Sequence, residues 1–356
     1  MARIAVIGAA GYVGRLLCSR LRDDGADVVG VIRPTSGFLL DQIGVRWLDA
    51  SDPRADGRFD VVVNLAYPSG PFVYGYPDQN RRLLSQIEAL AKPSGQVVHA
   101  STQAVFGMAM EYPQITAPVS PRRDLLYVES KLELENLLIA HPPAARLDIV
   151  RLGNVWGPGS AAWTGELAQR LLFGRPVYPA TADGFSNVTD VANLTSYISY
   201  LALEDQGESG VRFHHLAELG GLPWAYWIDR MAAHLEVTAA PPAGAAYPLT
   251  PSSELRSIMR SHGPRAVARQ LNDGRFTSSV VRSVVRVLPE RAGSKLRNRV
   301  GGAGQPAQAI EEDLFLTVVG SGIRFEPHVS PGWTPPVTEE GSWLAVAAWL
   351  DEVGYR

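Results

Sequence analysis

The sequence contains a single cysteine, Cys18, and no long uninterrupted apolar run. One cysteine excludes an internal disulfide and a metal site built from several thiolates, a usage typical of reducing compartments. No stretch reaches the roughly 18 uncharged apolar residues that a membrane-spanning helix needs. The N-terminal residues Met1-Ala2-Arg3 lead into a short apolar run that is too brief for a signal peptide. We therefore expect a cytoplasmic protein in which Cys18 belongs to the core.

Charged residues are also scarce, at 19% of 356 residues, whereas hydrophobic residues make up 46%. This balance is typical of a globular protein with a sizeable core. The net charge of −3 gives no general attraction to nucleic acid or to a membrane. Residues 256–299 differ from the rest, with 11 Lys or Arg, two acidic residues and a net charge of +9. We interpret them as a solvated helical segment, and a surface for an anionic substrate, partner or headgroup is the alternative.

Short apolar runs alternate with amphipathic stretches through the first half of the chain. Apolar strands separated by helices are typical of a parallel sheet covered on both faces. This pattern predicts an α/β fold with a doubly wound sheet of the Rossmann type, in which ligands bind at the carboxyl ends of the strands. The predicted strands are Arg3–Ile7, Asp27–Ile32, Val61–Leu65, Gln96–Ala100 and Leu147–Leu152, and the predicted helices are Tyr12–Asp23, Gln79–Ala91 and Tyr127–Ile139.

Three glycines, Gly8, Gly11 and Gly14, follow the first predicted strand and open the first predicted helix. Glycines at these places allow a tight turn and let the backbone approach a pyrophosphate at the helix N-terminus. This arrangement predicts a dinucleotide-binding turn. NAD sites usually carry an acidic residue at the end of the second strand, but here Arg33 follows that strand. A guanidinium suits a 2′-phosphate, so Arg33 favours NADP over NAD, and a merely exposed arginine is the alternative.

Tyr127 and Lys131 stand four residues apart on a predicted helix and therefore share one of its faces. The pKa of a free phenol is near 10, and a nearby cation lowers it by favouring the phenolate. The pair is thus a candidate general acid/base for a substrate hydroxyl or carbonyl. The same spacing also occurs on ordinary solvated helix faces, so the interpretation depends on the glycine turn upstream.

Together these motifs resemble the extended short-chain dehydrogenase/reductases, the NAD(P)-dependent epimerase/dehydratase family. The resemblance runs nearly from end to end and is specific. It is carried by the turn at Gly8, Gly11 and Gly14, by Asp49, by residues 64–66 and 101–107, by Tyr127, Lys131 and Glu135, by residues 151–158 and 188–191, and by residues 332–335 leading into a helix over Trp343–Trp349.

The resemblance implies a catalytic role for Thr102, Tyr127 and Lys131. It implies a homodimer with a four-helix interface that includes the helix Tyr127–Ile139. We expect no metal site. The implied cofactor contacts, for NADP or NAD, are Gly8, Gly11, Tyr12, Val13, Gly14, Arg33, Asp49, Ala50, Leu65, Ala66, Tyr67, Ser101, Tyr127, Lys131, Leu152, Asn154 and Val155. The implied substrate contacts are Ser69, Gln103, Asn154 and Trp156.

The same resemblance predicts how the chain is organised. Residues 1–155, with part of 185–215, would form the NAD(P)-binding Rossmann domain. Residues 156–184 and 216–356 would form a smaller α/β substrate-binding region that contains the basic segment 256–299. His214-His215 has no ligand-forming partner at metal-site spacing, and His99 is interpreted as a core histidine.

Two departures from the family pattern narrow the expected reaction. Dehydratases of the family follow the catalytic Thr with Asp-Glu, whereas this chain has Gln103-Ala104, and neither side chain can exchange the proton needed to eliminate water. Asp183 aligns where many members carry an Arg that grips a sugar diphosphate. A carboxylate at that position would repel the diphosphate, which favours the non-nucleotide alternative unless another cation, such as one from residues 256–299, takes over. We expect an NAD(P)-dependent 4-ketoreductase or epimerase that acts on a nucleotide-activated sugar. An NADPH-dependent reductase of a non-nucleotide carbonyl and a non-catalytic dinucleotide sensor are the alternatives.

Overall fold

The computed structural model describes residues 1–51, 58–67, 76–106, 126–178, 184–205, 207–239, 314–320 and 322–355. Three features predicted from the sequence lie outside these residues, namely Ser69, Asp183 and the basic segment 256–299. The chain divides into two compact units, and the first comprises Met1–Pro68, Pro77–Pro242 and Phe315–Arg356. Apart from Tyr76 and Leu314, the elements below all belong to that first unit.

The described strands are β1 (Arg3–Ile7), β2 (Asp27–Ile32), β3 (Arg46–Asp49), β4 (Phe59–Asn64), β5 (Ala91–Thr102), β6 (Arg146–Leu152), β7 (Asn154–Trp156), β8 (Val188–Asp190) and β9 (Gly210–Leu216). Seven of the described strands form one sheet in the order β3-β2-β1-β4-β5-β6-β9. Every neighbouring pair in this sheet is parallel. The predicted doubly wound parallel fold is therefore confirmed.

The described α-helices are α1 (Tyr12–Asp23), α2 (Phe38–Asp41), α3 (Tyr76–Leu90), α4 (Leu126–Ala140), α5 (Glu166–Leu172), α6 (Val191–Leu203), α7 (Trp224–His234), α8 (Leu314–Val319) and α9 (Glu339–Glu352). A short 3₁₀ turn, Gln103–Phe106, follows β5 directly. None of these described helices is long and apolar enough to cross a membrane.

Helices cover both faces of the sheet. Successive residues of a strand point to opposite faces, so neighbouring apolar residues of one strand pack with different helices. In β1, Ile4 and Val6 pack with apolar residues of α1 and α6. Ala5 and Ile7 pack instead with α3 and α4. Cys18 lies in the first of these clusters, fully buried, and burial raises the pKa of its thiol to about 12. This confirms its interpretation as a core residue.

A further apolar cluster forms around tryptophans of the second half. Trp156 ends β7, which pairs with β8 in a two-stranded parallel sheet. Trp224 and Trp227 of α7 and Trp343 of α9 join Trp156 in this cluster. The cluster falls in the predicted substrate-binding region, whose boundaries stay a prediction.

Several predicted boundaries are confirmed to the residue, and others shift. β1, β2 and α1 have the predicted limits. β4 begins two residues earlier than predicted, at Phe59, because Phe59 is buried and pairs with Ala91 at the start of β5. The π-helix Ala161–Gly165 and the sheet of β7 and β8 were not predicted. Their short segments carry no regular apolar period.

The close backbone contacts at Gly14 predict that a larger residue there destabilises the fold. A Cβ at this position would clash with the carbonyl oxygen of Gly8 and lie 2.7 Å from Ala9 Cα. Gly14→Ala should therefore lower the free energy of unfolding by about 1–3 kcal/mol, as overpacking does, measured by urea denaturation. The matched control is Gly341→Ala at the start of α9, where a Cβ would meet Val337 at an ordinary 3.5 Å. If Gly14→Ala and Gly341→Ala both have the parent's free energy of unfolding, the backbone does not approach Gly14 as closely as described.

Candidate active site

The glycine turn joins β1 to α1 at the carboxyl edge of the sheet. Gly8 has a left-handed φ of +84°, and its N–H donates to the carbonyl oxygen of Val31 in β2 over 3.3 Å. Gly11 caps α1, and the first turn of the helix contains no acidic residue. Amide N–H groups in a first turn have no intrahelical acceptors and favour anions. The turn therefore fits the phosphates of a dinucleotide.

The neighbouring strand ends bring together the residues predicted to contact the adenosine end of that dinucleotide. The Ala50 N–H donates to the carbonyl oxygen of Ile32 over 2.8 Å, joining the ends of β2 and β3. Arg33 is exposed directly after β2. Asp49 ends β3, and its carboxylate accepts from the Ser51 N–H at 2.8 Å. A cation and a carboxylate thus stand at the same edge.

The segment after β4 lies against the glycine turn. A Cβ on Gly8 would lie 3.0 Å from Ala66 N. The Asn64 side chain accepts from the Ala66 N–H at 3.1 Å, and its amide nitrogen lies 3.1 Å from His99 Nδ1. Asn64 and His99 are both fully buried. This internal bridge from β5 fixes the path of residues 65–67, which were predicted to contact the cofactor.

The predicted catalytic residues converge at the end of β5. Thr102 ends that strand, and its hydroxyl accepts from the Ala104 N–H at 3.2 Å. A hydrogen bond joins the side chains of Thr102 and Tyr127. Lys131 lies one turn further along α4, is 4% exposed, and its Nζ donates to the Ala100 carbonyl oxygen at 2.7 Å. The structure therefore brings all three residues together.

The expected lowering of the Tyr127 pKa is not observed and must be corrected. Burial raises the pKa of Tyr127 to about 12, the neighbouring Tyr67 raises it further, and only the hydrogen bond from Thr102 acts in the opposite direction. Burial lowers the pKa of Lys131 to about 8, while the Glu135 carboxylate opposes that shift. The i, i+4 spacing indicated a shared helix face, but it carried no information on the surroundings of the two groups, of which Lys131 is 4% exposed and Tyr127 is 37% exposed.

A buried ion pair between Glu135 and Arg151 holds α4, the helix that carries Tyr127 and Lys131. Glu135 follows Lys131 by four residues on α4, and its carboxylate accepts from Arg151 Nη2 of β6 at 2.8 Å. The Ser101 hydroxyl donates to the same carboxylate. The Arg151 guanidinium lies between two rings, with its Cζ 5.0 Å from the centroid of Phe106 and 4.6 Å from that of Phe213. Helix α4 is thereby tied to the ends of β5 and β6.

The residues predicted to contact the substrate differ in their hydrogen bonds and packing. Gln103 is buried, and among the described residues its Oε1 atom has no hydrogen-bond partner. The Asn154 side chain donates to the carbonyl oxygen of Ser186 at 2.7 Å. Trp156 is fully buried, with its ring centroid 5.0 Å from that of Trp227, and this position favours packing. All three substrate roles stay predictions.

The other predicted cofactor residues lie around the same edge. Leu152 ends β6, and Val155 lies in β7. Tyr12 in the first turn of α1 donates its hydroxyl to the carbonyl oxygen of Pro158 at 2.7 Å. Burial, and then the nearby Asp190 carboxylate, raise its pKa. Val13 is half-buried beside it.

The paired histidines have structural partners. His214 Nε2 lies 2.8 Å from an Asp148 carboxylate oxygen, and His214 Nδ1 lies 2.7 Å from the Tyr197 hydroxyl. His215 Nδ1 lies 3.1 Å from the carbonyl oxygen of Glu326. In the part of the chain that the structure describes, no group of three or more His, Cys, Asp or Glu residues could hold a metal ion.

One buried carboxyl group, that of Glu218, was not predicted from the sequence. Glu218 lies two residues beyond β9 and accepts from the Asp190 N–H at 2.7 Å and from the Asn193 side chain at 3.0 Å. Its second oxygen is buried without a partner among the described residues. Burial, and to a lesser extent Asp190, raise the pKa of Glu218 to about 7. The only signal in the sequence was an acidic residue directly after an apolar run.

The fold and this strand edge define a dinucleotide-binding α/β protein of the short-chain dehydrogenase/reductase type. Residues 4–178 of the chain match the model of the NAD dependent epimerase/dehydratase family. The expectation of an NAD(P)-dependent enzyme of this type is thereby confirmed at the level of the family.

Individual proteins are similar over different shares of the chain. A dTDP-6-deoxy-L-talose 4-dehydrogenase (NAD(P)(+)) from Kitasatospora kifunensis is 31% identical over 194 residues, which span 48% of this chain and 58% of that protein. The Bordetella bronchiseptica enzyme WbmG, solved with NAD and UDP, superposes with a TM-score of 0.61 at 16% identity, covering 99% and 96% of the two chains. A UDP-glucose 4-epimerase from Thermotoga maritima gives 0.59 at 15% identity, covering 99% of each. These two structures show the shared fold.

The raised pKa of Glu218 predicts that the free energy of unfolding depends on pH. Because its folded pKa lies above the ordinary 4.5, the folded state favours the neutral form. The contribution of Glu218 to stability is complete below about pH 4.5 and is lost as pH rises to about 7. Glu218→Gln keeps the group neutral, so its stability relative to the parent should rise by up to about 3 kcal/mol between roughly pH 5 and pH 8. Thermal and urea unfolding at both pH values measure this, with exposed Glu352→Gln as the control. A pH-independent difference would contradict the assignment.

Proposed function

We propose that the chain is an NAD(P)-dependent oxidoreductase or epimerase that moves hydride at a C–OH/C=O centre of a nucleotide-activated sugar. The observation that carries this proposal is the meeting of Thr102, Tyr127 and Lys131 at the strand edge that also carries the glycine turn. The 31% identical 4-dehydrogenase from Kitasatospora kifunensis supports a dTDP-linked 6-deoxy sugar as the substrate class.

The residues of the chain have distinct tasks in this proposal. The first-turn amides of α1 hold the cofactor diphosphate, and Lys131 holds the nicotinamide ribose. The hydroxyl groups of Thr102 and Tyr127 hydrogen-bond the reacting oxygen of the sugar, and Tyr127 gives that oxygen a proton or takes one from it. The bound nicotinamide supplies or accepts the hydride at the adjoining carbon.

The residues that follow Thr102 support reduction or epimerisation over dehydration. Gln103 and Ala104 follow Thr102, and an amide and a methyl group cannot transfer the proton that water elimination requires. A 4-ketoreductase or epimerase is therefore the proposed activity.

Exposed Arg33 stands directly after β2, where NAD sites usually carry an acidic residue, and supports NADP as the favoured cofactor. The homodimer and the cytoplasmic location stay predictions. The non-catalytic alternative is disfavoured because Thr102, Tyr127 and Lys131 are all present, with Tyr127 hydrogen-bonded to Thr102 and Lys131 to Ala100 of the same strand.

Tyr127→Phe removes only the hydroxyl group that transfers the proton, so kcat should fall by roughly 10²–10⁴-fold. The assay follows oxidation of dTDP-6-deoxy-L-talose with NADP⁺ and NAD⁺ in parallel, and the NADP⁺ reaction should have the higher kcat/KM. Epimerisation of UDP-glucose, followed by chromatography, is the second arm.

The matched control is Tyr200→Phe on α6, which removes a hydroxyl that donates to Pro331 at 2.9 Å and should leave kcat unchanged. Full activity of Tyr127→Phe would contradict the proposed role of the phenol. A parent protein without turnover on any nucleotide-linked sugar would favour the non-nucleotide or non-catalytic alternative.

A further inference from the structure

Tyr67 contacts two of the three proposed catalytic residues, although its position suggested only a cofactor contact. It follows β4 by three residues, on the segment whose Ala66 N–H is held by Asn64 at 3.1 Å. A Cβ on Gly8 would lie 3.0 Å from Ala66 N, so the neighbouring backbone is confined from both sides. The Tyr67 ring thus projects from a fixed base.

The first contact is with the ammonium group of Lys131. Its Nζ lies 5.3 Å from the centroid of the Tyr67 ring, within the range of a cation–π interaction. An ammonium group has three N–H donors, and the Ala100 carbonyl oxygen accepts one of them at 2.7 Å. The face of the Tyr67 ring lies against another side of the same group. Lys131 is only 4% exposed, whereas Tyr67 is 47% exposed, so the ammonium group is shielded from water while part of the ring is not.

The second contact is with the ring of Tyr127. The two ring centroids lie 5.3 Å apart with an interplanar angle of 87°, the edge-to-face geometry that aromatic pairs prefer. The Tyr127 side chain is also hydrogen-bonded to Thr102. Rotation of the Tyr127 ring would break both contacts, so Tyr67 and Thr102 together hold its direction.

We propose that Tyr67 is a positioning residue whose ring holds the Lys131 ammonium and the Tyr127 ring in their relative orientation. The role of Tyr67 in turnover rests on the proposed function. Its role in holding Lys131 does not, because that contact exists in the folded chain whatever the reaction. The ring, and not its hydroxyl, makes both contacts.

The kinetic test compares Tyr67→Phe with Tyr67→Leu in the full chain. Tyr67→Phe keeps the ring and should lose much less kcat than Tyr67→Leu. Tyr67→Leu should lower kcat roughly tenfold, since it removes one cation–π and one edge-to-face contact, and the KM for the sugar should change much less. Phe173→Leu, at an aromatic residue that is 76% exposed, is the matched control and should behave like the parent. Wild-type kcat in Tyr67→Leu, or equal loss in Tyr67→Phe, would overturn the proposal.

A second measurement does not depend on turnover. An amine-specific acylating reagent labels Lys131 at a rate that peptide mass spectrometry can follow. Tyr67→Leu should raise that rate roughly tenfold because a cation–π contact of the shielded ammonium group is lost, whereas Tyr67→Phe should leave it unchanged. An unchanged rate in Tyr67→Leu would overturn the proposal. If Tyr67→Leu fails to fold, Tyr67→Met, with a flexible unbranched side chain, takes its place in both measurements.

The two measurements separate two kinds of failure. Faster labelling of Tyr67→Leu in a protein that turns over no nucleotide sugar would retain the positioning role and reject the proposed function. Sugar turnover by the parent combined with full activity and parental labelling of Tyr67→Leu would reject the positioning role alone.

Discussion

The geometry of the candidate site depends on the buried ion pair between Glu135 of α4 and Arg151 of β6. Their side chains are 1% and 0% exposed and lie 2.8 Å apart. Removing one member of such a pair costs about 3–5 kcal/mol, because the other charge stays buried without its partner. The pair fixes α4 and therefore the position of Lys131. Through the Ser101 hydroxyl it also fixes the strand end that carries Thr102.

The same pair balances the charge of the site. Lys131 is a buried cation, and burial alone would favour its neutral form, but the Glu135 carboxylate opposes this effect. His99 stays neutral beside it, because burial and then the Lys131 charge lower its pKa well below the usual range. Because Glu135 and Arg151 are paired, the Lys131 ammonium leaves one net positive charge near the end of β5. An edge of this kind suits a substrate and a cofactor that both carry phosphate groups.

Much of the fold could be predicted because its strands are continuous apolar runs and its first helix has a clear apolar face. β1, β2 and α1 follow directly from that pattern. Tyr127 and Lys131 could be placed on one face by their spacing alone. The pKa of Tyr127 could not be predicted, because it depends on burial and on Tyr67, which is 60 residues away in the sequence. The buried Glu218 was missed for a related reason, since its partners lie on β8 and α6.

The central claim is that hydride moves directly between the cofactor and one sugar carbon while Tyr127 handles the proton on its oxygen. The most direct measurement uses dTDP-6-deoxy-L-talose deuterated at C4, incubated with the full chain and NADP⁺, with the products examined by mass spectrometry. The account predicts that deuterium appears on the reduced nicotinamide, or back at C4 of an epimerised sugar. Release of that deuterium to solvent water, or no transfer at all, would contradict it.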